Sequence, residues 1–268
     1  MEIQKSTEVS KEKSVHGNKW NKIHGGYFSS RKNADVLLKM LKIATEQFQP
    51  DVIVDLGAGT GTILHWLSEI LDSTHPKLVA MDISDNQLAV IKEKYCGKII
   101  PVNDSFTNFK RDGIPQLSES TGIFISRSTF HYVGENFFSR LIQHIRSQMK
   151  TGEHFIHQTA SFSDKHNASL LNHLYKMMHS AKWYPSVKLM KQVFENNNFK
   201  VYNILPCTPL PLESSDLQIR YALNDNDIEQ IKNTIENKYP DADSNVFISS
   251  SNSFTAYLHY FCMHCVAI

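Results

Sequence analysis

The run Asp55-Leu56-Gly57-Ala58-Gly59-Thr60-Gly61 constrains this chain more than any other feature. It follows the short β-branched segment Val52-Ile53-Val54, which reads as a buried strand, and it opens a helix expected over 60–72. Glycine at such a junction permits a tight turn with positive φ. It also lets a ligand approach the backbone with no Cβ in the way. The first turn of the following helix adds N–H groups that have no partner within the helix. A strand, a glycine turn and a helix in that order are the opening unit of an α/β fold with a parallel sheet.

The rest of the chain repeats the alternation. Strands are expected at Leu78–Met81, Ile99–Val102, Gly122–Ile125, Phe155–Ile156 and Val201–Leu205, with a long last strand from Phe254 to Val266. Helices are expected over 31–48, closed by Pro50, over 85–95 with Ser84 as N-cap, over 135–149 and from near Ser186. The expected architecture is a Rossmann-like, doubly wound sheet of about seven mostly parallel strands. Two stretches exceed that pattern. One is a helix over 164–181 within an insertion at about 162–184. The other spans about 207–250 and carries Pro209, Pro211 and a polar helix from Asp225 to Asn237. Ligands sit beyond the carboxyl ends of strands in such sheets, so both stretches are expected to be lids. Residues 1–30 read as a tail and lid segment, and 31–268 as the main domain.

A net charge of +1 gives no global positive field, so a nucleic-acid or anionic-membrane partner is not expected. No apolar stretch approaches the roughly 20 residues of a membrane helix, and no signal-peptide pattern is seen, so a cytoplasmic protein is expected. Cys96, Cys207, Cys262 and Cys265 are then expected as free thiols.

Acidic residues sharpen the reading of the loop. Asp82 ends the second strand about 20 residues beyond Gly61, where a carboxylate accepts ribose hydroxyls. The spacing G-x-G-x-G differs from the G-x-G-x-x-G of dinucleotide sites, and Asp55 would repel a pyrophosphate, which argues against a nicotinamide cofactor. The loop together with Met81-Asp82-Ile83-Ser84 resembles the first two motifs of class I S-adenosyl-L-methionine (SAM)-dependent methyltransferases. Val102-Asn103-Asp104-Ser105-Phe106 resembles the family's adenine-contacting acidic motif. Ile125 to Tyr132 is similar to the segment that passes beneath the cofactor, and Lys150-Thr151-Gly152-Glu153 stands in place of a Lys-Pro-Gly-Gly turn, without its Pro. The resemblance covers roughly 30–206. It implies SAM as cofactor, held by Tyr27, Asp55, Gly57, Gly59, Gly61, Asp82, Ile83, Asp104, Ser105 and Ser126.

Methyl transfer needs a base only when the acceptor must lose a proton. His131 and Tyr132 after the fourth strand, His157 near the end of the fifth, and Tyr175 in the first insertion are the candidates for acceptor contact or proton transfer. Packing is the competing role for each. Trp183 and Tyr184 could wall a pocket beside Tyr175, and Trp20 or Tyr27 could cover the cofactor. Arg127 and Arg220 could each meet a carboxylate or pair with a protein acid. Cys262-Met263-His264-Cys265, with His259 nearby, is a single cluster without a second ligand pair, so no metal is expected.

The expected function is methylation of a small molecule. Three rivals remain: SAM-consuming chemistry that releases methylthioadenosine, by aminocarboxypropyl transfer or cyclisation; a non-catalytic SAM-binding protein; and, more weakly, a nicotinamide enzyme. The oligomeric state stays open, with a homodimer among the options.

Overall fold

The computed structural model describes residues 23–71 and 76–268. After 3-10 turns at Ile23–Ser29 and Arg31–Ala34, the chain runs through helix α1 (Asp35–Phe48), strand β1 (Val52–Leu56), helix α2 (Thr62–Ser68), strand β2 (Lys77–Asp82), helix α3 (Asp85–Tyr95) and strand β3 (Ile99–Asn103). It continues through β4 (Gly122–Arg127), α4 (Glu135–Ser147), β5 (His154–Ala160), α5 (Lys165–Met177) and α6 (Val187–Asn196). The last elements are β6 (Phe199–Glu213), α7 (Ser214–Tyr221), α8 (Asp225–Lys238), β7 (Phe247–Ser249) and β8 (Phe254–Ala267).

The strands form one sheet in the order β3-β2-β1-β4-β5-β8-β6, with β7 added against β8. Pairings among β1 to β5 are parallel, and those made by β8 are antiparallel. The order reverses between β1 and β4, and the glycine turn leaves the sheet at that switch point. The expected doubly wound sheet is therefore present, with one short strand more.

Side-chain parity explains how two helical layers fit. Val52, Val54, Phe124 and Phe155 point to the face covered by α4 and α6, where Phe138, Ile142, Met190 and Phe194 complete the core. Ile53, Ile123, Ile125 and Ile156 point to the other face, packed by Leu37, Leu41, Leu64 and Ile91 of α1, α2 and α3. Burial on both faces is why these strands read as unbroken apolar runs. A third core lies beyond the carboxyl ends of the parallel strands. Leu170, Leu174 and Tyr175 of α5 pack there with Leu217 of α7, Ile228 and Ile231 of α8, and Leu258 and Tyr260 of β8.

Three helix starts are capped as their sequences suggest. Asp164 accepts from the Asn167 N–H at 2.8 Å, Ser186 from Leu189, and Asn224 with Asp227 forms a reciprocal capping box. Ser84 stands at the N-cap of α3 as expected, but its side chain makes no capping bond. The sixth strand departs most from expectation. It runs on to Glu213, through the residues expected to begin the second insertion. Pro206, Pro209 and Pro211 are tolerated because β6 is an edge strand, paired among the described residues with β8 alone. Helix α7, which follows directly, has no counterpart in the expected elements.

Candidate active site

The glycine turn is anchored from β2. Gly57 and Ala58 both donate their backbone N–H to the Met81 carbonyl at 2.9 Å. Gly57, with φ of +80°, leaves no room for a side chain, since a Cβ would meet Thr129 Cγ2 at 2.5 Å. Gly59, with φ of +55°, is the opposite case: a Cβ there would meet nothing within 4 Å, so the loop's backbone faces open space. Gly61 is the N-cap of α2 and packs on Ile91 of α3.

Asp82 ties this loop to the next crossover. Its carboxylate accepts from the Gly59 N–H at 2.8 Å and from the Ser84 N–H at 2.9 Å. Asp104 sits beside it after β3, with its N–H on the Asp82 carbonyl at 3.2 Å and its own carboxylate accepting from the Ser105 N–H at 2.7 Å. The Ser105 hydroxyl meets Thr107 at 2.8 Å, and Ile83 lies 42% exposed next to Asp82. The structure thus brings Gly59, Asp82, Ile83, Asp104 and Ser105 together along the carboxyl ends of β1, β2 and β3.

Asp55 is buried at 2% exposure, and its Oδ1 accepts no hydrogen bond among the described residues. Burial pushes its carboxyl up to about 7, the nearby Asp82 pushes the same way, and Arg127 pulls it down. Arg127 ends β4, the neighbour of β1. Its Nε donates to Gln158 Oε1 at 2.8 Å and its Nη1 to the Phe28 carbonyl at 3.2 Å, while the guanidinium lies 5.2 Å from the Phe28 ring centre. Its Nη2 is buried and has no partner among the described residues. The guanidinium and the Asp55 carboxylate do not form an ion pair. Two opposite charges with open hydrogen-bonding atoms therefore lie near one another at the switch point.

Other expected site residues have different surroundings. The Ser126 hydroxyl is buried and already committed to the Leu56 carbonyl at 3.0 Å and to Thr129 at 2.6 Å, so it braces the turn instead of facing a ligand. Tyr27 stacks on Tyr260 with ring centres 5.5 Å apart, and its hydroxyl donates to the Thr208 carbonyl, which pins the N-terminal segment to β6 and β8. His131 and Tyr132 occupy a 3-10 turn after β4, with His131 stacked on Tyr184 and the Lys182 ammonium 5.3 Å from the Tyr132 ring.

His157 does not face the cleft. It shares its strand face with Phe155, and lies between Phe130, Phe155 and Phe194 in the core beneath α6. Burial holds its imidazole down to about 3, and Nδ1 is engaged with Thr159 at 2.8 Å. Tyr175 is likewise a core residue, packed edge-on against Tyr184, with burial pushing its phenol up to about 12. Trp20 lies outside the described residues. Arg220 is buried, with its guanidinium 5.6 Å from the Tyr221 ring. In β8, Cys262 faces the α1 side while Met263 and Cys265 face the α6 side, and His264 meets His154 at 3.1 Å. Among the described residues no group of three or more His, Cys, Asp or Glu side chains is placed to hold a metal ion. Sequence reasoning placed Gln158 beside His157 at the cleft end of the fifth strand but missed that Gln158 and Phe28 are the partners of Arg127.

Comparison with known proteins agrees with this geometry. A family model described as a methyltransferase domain matches residues 27–204. No curated protein matches the chain by sequence. Among solved structures, a methyltransferase candidate from Bacillus halodurans C-125 superposes with a TM-score of 0.66 at 12% identity, covering 86% of this chain and 97% of its own. Magnesium protoporphyrin IX methyltransferase from Synechocystis PCC 6803, with bound S-adenosylhomocysteine, gives 0.57 at 11%, covering 99% and 100%. The 1,6-didemethyltoxoflavin-N1-methyltransferase of Burkholderia thailandensis, with its substrate and S-adenosylhomocysteine bound, gives 0.55 at 11%, covering 99% and 88%. With the sheet order, the glycine turn and a family match over most of its length, the chain belongs to the methyltransferase-domain family and has the class I, Rossmann-like fold.

Proposed function

We propose that the protein transfers the methyl group of S-adenosyl-L-methionine to a small-molecule acceptor at the carboxyl ends of β1, β2 and β4. The carrying observation is the pairing of a buried, hydrogen-bond-open Asp55 with the unobstructed backbone at Gly59. SAM supplies an electrophilic methyl on a sulfonium centre and bears an α-amino acid, a ribose and an adenine. Asp55 suits the ammonium, and the Gly59–Gly61 backbone suits the chain beside it. The Asp82 carboxylate suits the ribose hydroxyls, and Asp104 with Ser105 suits the adenine edge. The open Nη2 of Arg127 suits the carboxylate. Tyr27 closes this end by holding the N-terminal segment on β6 and β8.

The acceptor would meet the other wall, made by His131 and Tyr132, with α5, α7 and α8 as its roof. The core these helices share makes the insertions a cover that excludes water from the reacting atoms. One superposed enzyme has 1,6-didemethyltoxoflavin bound and another is named for magnesium protoporphyrin IX, which supports a small-molecule acceptor.

Incubation with SAM, alone and with metabolite extract, followed by mass spectrometry of the nucleoside product tests this. S-adenosylhomocysteine formed only with extract is the expected result. Methylthioadenosine formed from SAM alone would overturn methyl transfer.

A further inference from the structure

Two of the cysteines, far apart in sequence, meet across the sheet. Cys207 of β6 and Cys262 of β8 are free thiols with sulfur atoms 3.3 Å apart. Neither takes part in the chemistry proposed above. Their positions are unequal: Cys207 is partly exposed on an edge strand, while Cys262 is fully buried. Hydrogen bonding with the Cys262 thiol, above all, holds the Cys207 thiol below its ordinary range, with Gln158 and the Arg127 guanidinium pulling the same way. Burial, chiefly, pushes Cys262 well above it. An accessible thiol of lowered pKa beside a second thiol is the arrangement found in oxidation-sensitive pairs.

We propose that Cys207 and Cys262 form a redox-active dithiol, which a peroxide converts to an intramolecular disulfide tying β6 to β8 beside Arg127. The Cys207 thiolate attacks a peroxide oxygen, the O–O bond breaks, and Cys207 becomes a sulfenic acid as one water leaves. The Cys262 sulfur then attacks the Cys207 sulfur. The S–S bond forms, the S–O bond breaks, and the hydroxyl departs with a proton as a second water. Two thiols lose two electrons, and hydrogen peroxide gains them.

The backbone can follow this closure. A disulfide needs sulfurs about 2.05 Å apart, so the pair must approach by roughly 1 Å. In the register Leu205 faces Cys262 and Cys207 faces Tyr260, so the cysteines are diagonal neighbours. The ladder breaks register immediately after Cys207, between it and Leu210, on the edge strand of the described sheet. A bulged edge yields more easily than a central strand. The remaining thiols have no such neighbour: Cys96 is exposed at the C-terminal end of α3, and Cys265 is buried on the opposite face of β8.

The test is peroxide treatment of the full-length protein, a thiol count after denaturation, and peptide mapping. Wild type should fall from four free thiols to two, with the Cys207 and Cys262 peptides joined and two hydrogens lost, and a dithiol reductant should restore four. In Cys262→Ser, Cys207 should stop at a sulfenic acid that dimedone traps. In Cys207→Ser, Cys262 should remain a thiol. A wild-type sample whose Cys207 reaches sulfenic or sulfinic acid while Cys262 stays reduced would overturn the proposal. So would one in which Cys96 oxidises and this pair does not.

Discussion

Two charged pairs occupy opposite ends of the same sheet, and they are built on opposite principles. At the amino end, Arg111 and Glu153 form a two-pronged ion pair, both contacts at 2.8 Å. Glu153 also accepts from the backbone N–H groups of Gly122 and Lys150, and Arg111 donates to the carbonyls of Ser120 and Gln148. The pair clasps the starts of β4 and β5 to the loop before them. At the carboxyl end, Asp55 and Arg127 are as deeply placed but unjoined, each with a polar atom open, whereas the one open atom of the first pair, Arg111 Nε, belongs to a guanidinium already joined to its carboxylate. A buried charge with an unused hydrogen-bonding atom costs stability, and a protein retains it where a ligand completes it. The amino end holds the sheet together, and on the proposed function the carboxyl end is completed by the cofactor.

Mutations should separate the two ends by sign. Glu153→Ala leaves the Arg111 guanidinium buried without its carboxylate, and should cost about 3–5 kcal/mol, read as a fall in the denaturant midpoint. Asp55→Asn should do the reverse: thermal stability equal to or above wild type, with SAM affinity at least about tenfold weaker, a loss of roughly 1.4 kcal/mol. A large stability loss in Asp55→Asn would erase the contrast.

The pH dependence follows from the direction of the Asp55 shift. Burial lifts its carboxyl from 3.8 to about 7, so folding favours the protonated form. The associated stability is complete below about pH 4 and is lost as pH rises through 7. Wild type should therefore lose ground to Asp55→Asn across that window, as paired thermal melts would show. The ammonium of SAM favours the ionised carboxylate, so binding should release a proton below pH 7 and tighten toward it. The smallest expected effect is at Ser84. Its hydroxyl makes no capping bond, so Ser84→Ala should cost less than about 0.5 kcal/mol, under the ~1 kcal/mol usual for a working cap. A cost above 1 kcal/mol would show a role the geometry does not contain.

What could be read from the sequence divides along the same line. The parallel strands, their helices and the glycine turn were legible because each is specified by local pattern: β-branched runs buried on both faces, and glycine at obligatory positive φ. The length of β6 was not, because prolines usually end a strand and only its edge position lets it continue. His157 was expected at the cleft because it stands near the end of β5. Its parity with Phe155, visible in the sequence, already placed it on the aromatic face. Asp55 and Asp82 could be picked out by spacing. The open atoms of Asp55 and Arg127, and the contact of Cys207 with Cys262, depend on distances between strands that no local pattern encodes.

Calorimetric titration of SAM into wild type and Asp55→Asn at pH 7, with melts of both proteins, tests the central claim most directly. The account predicts binding to wild type, at least tenfold weaker binding to the variant, and a variant melting temperature no lower than wild type. Equal affinity in the two proteins would contradict it.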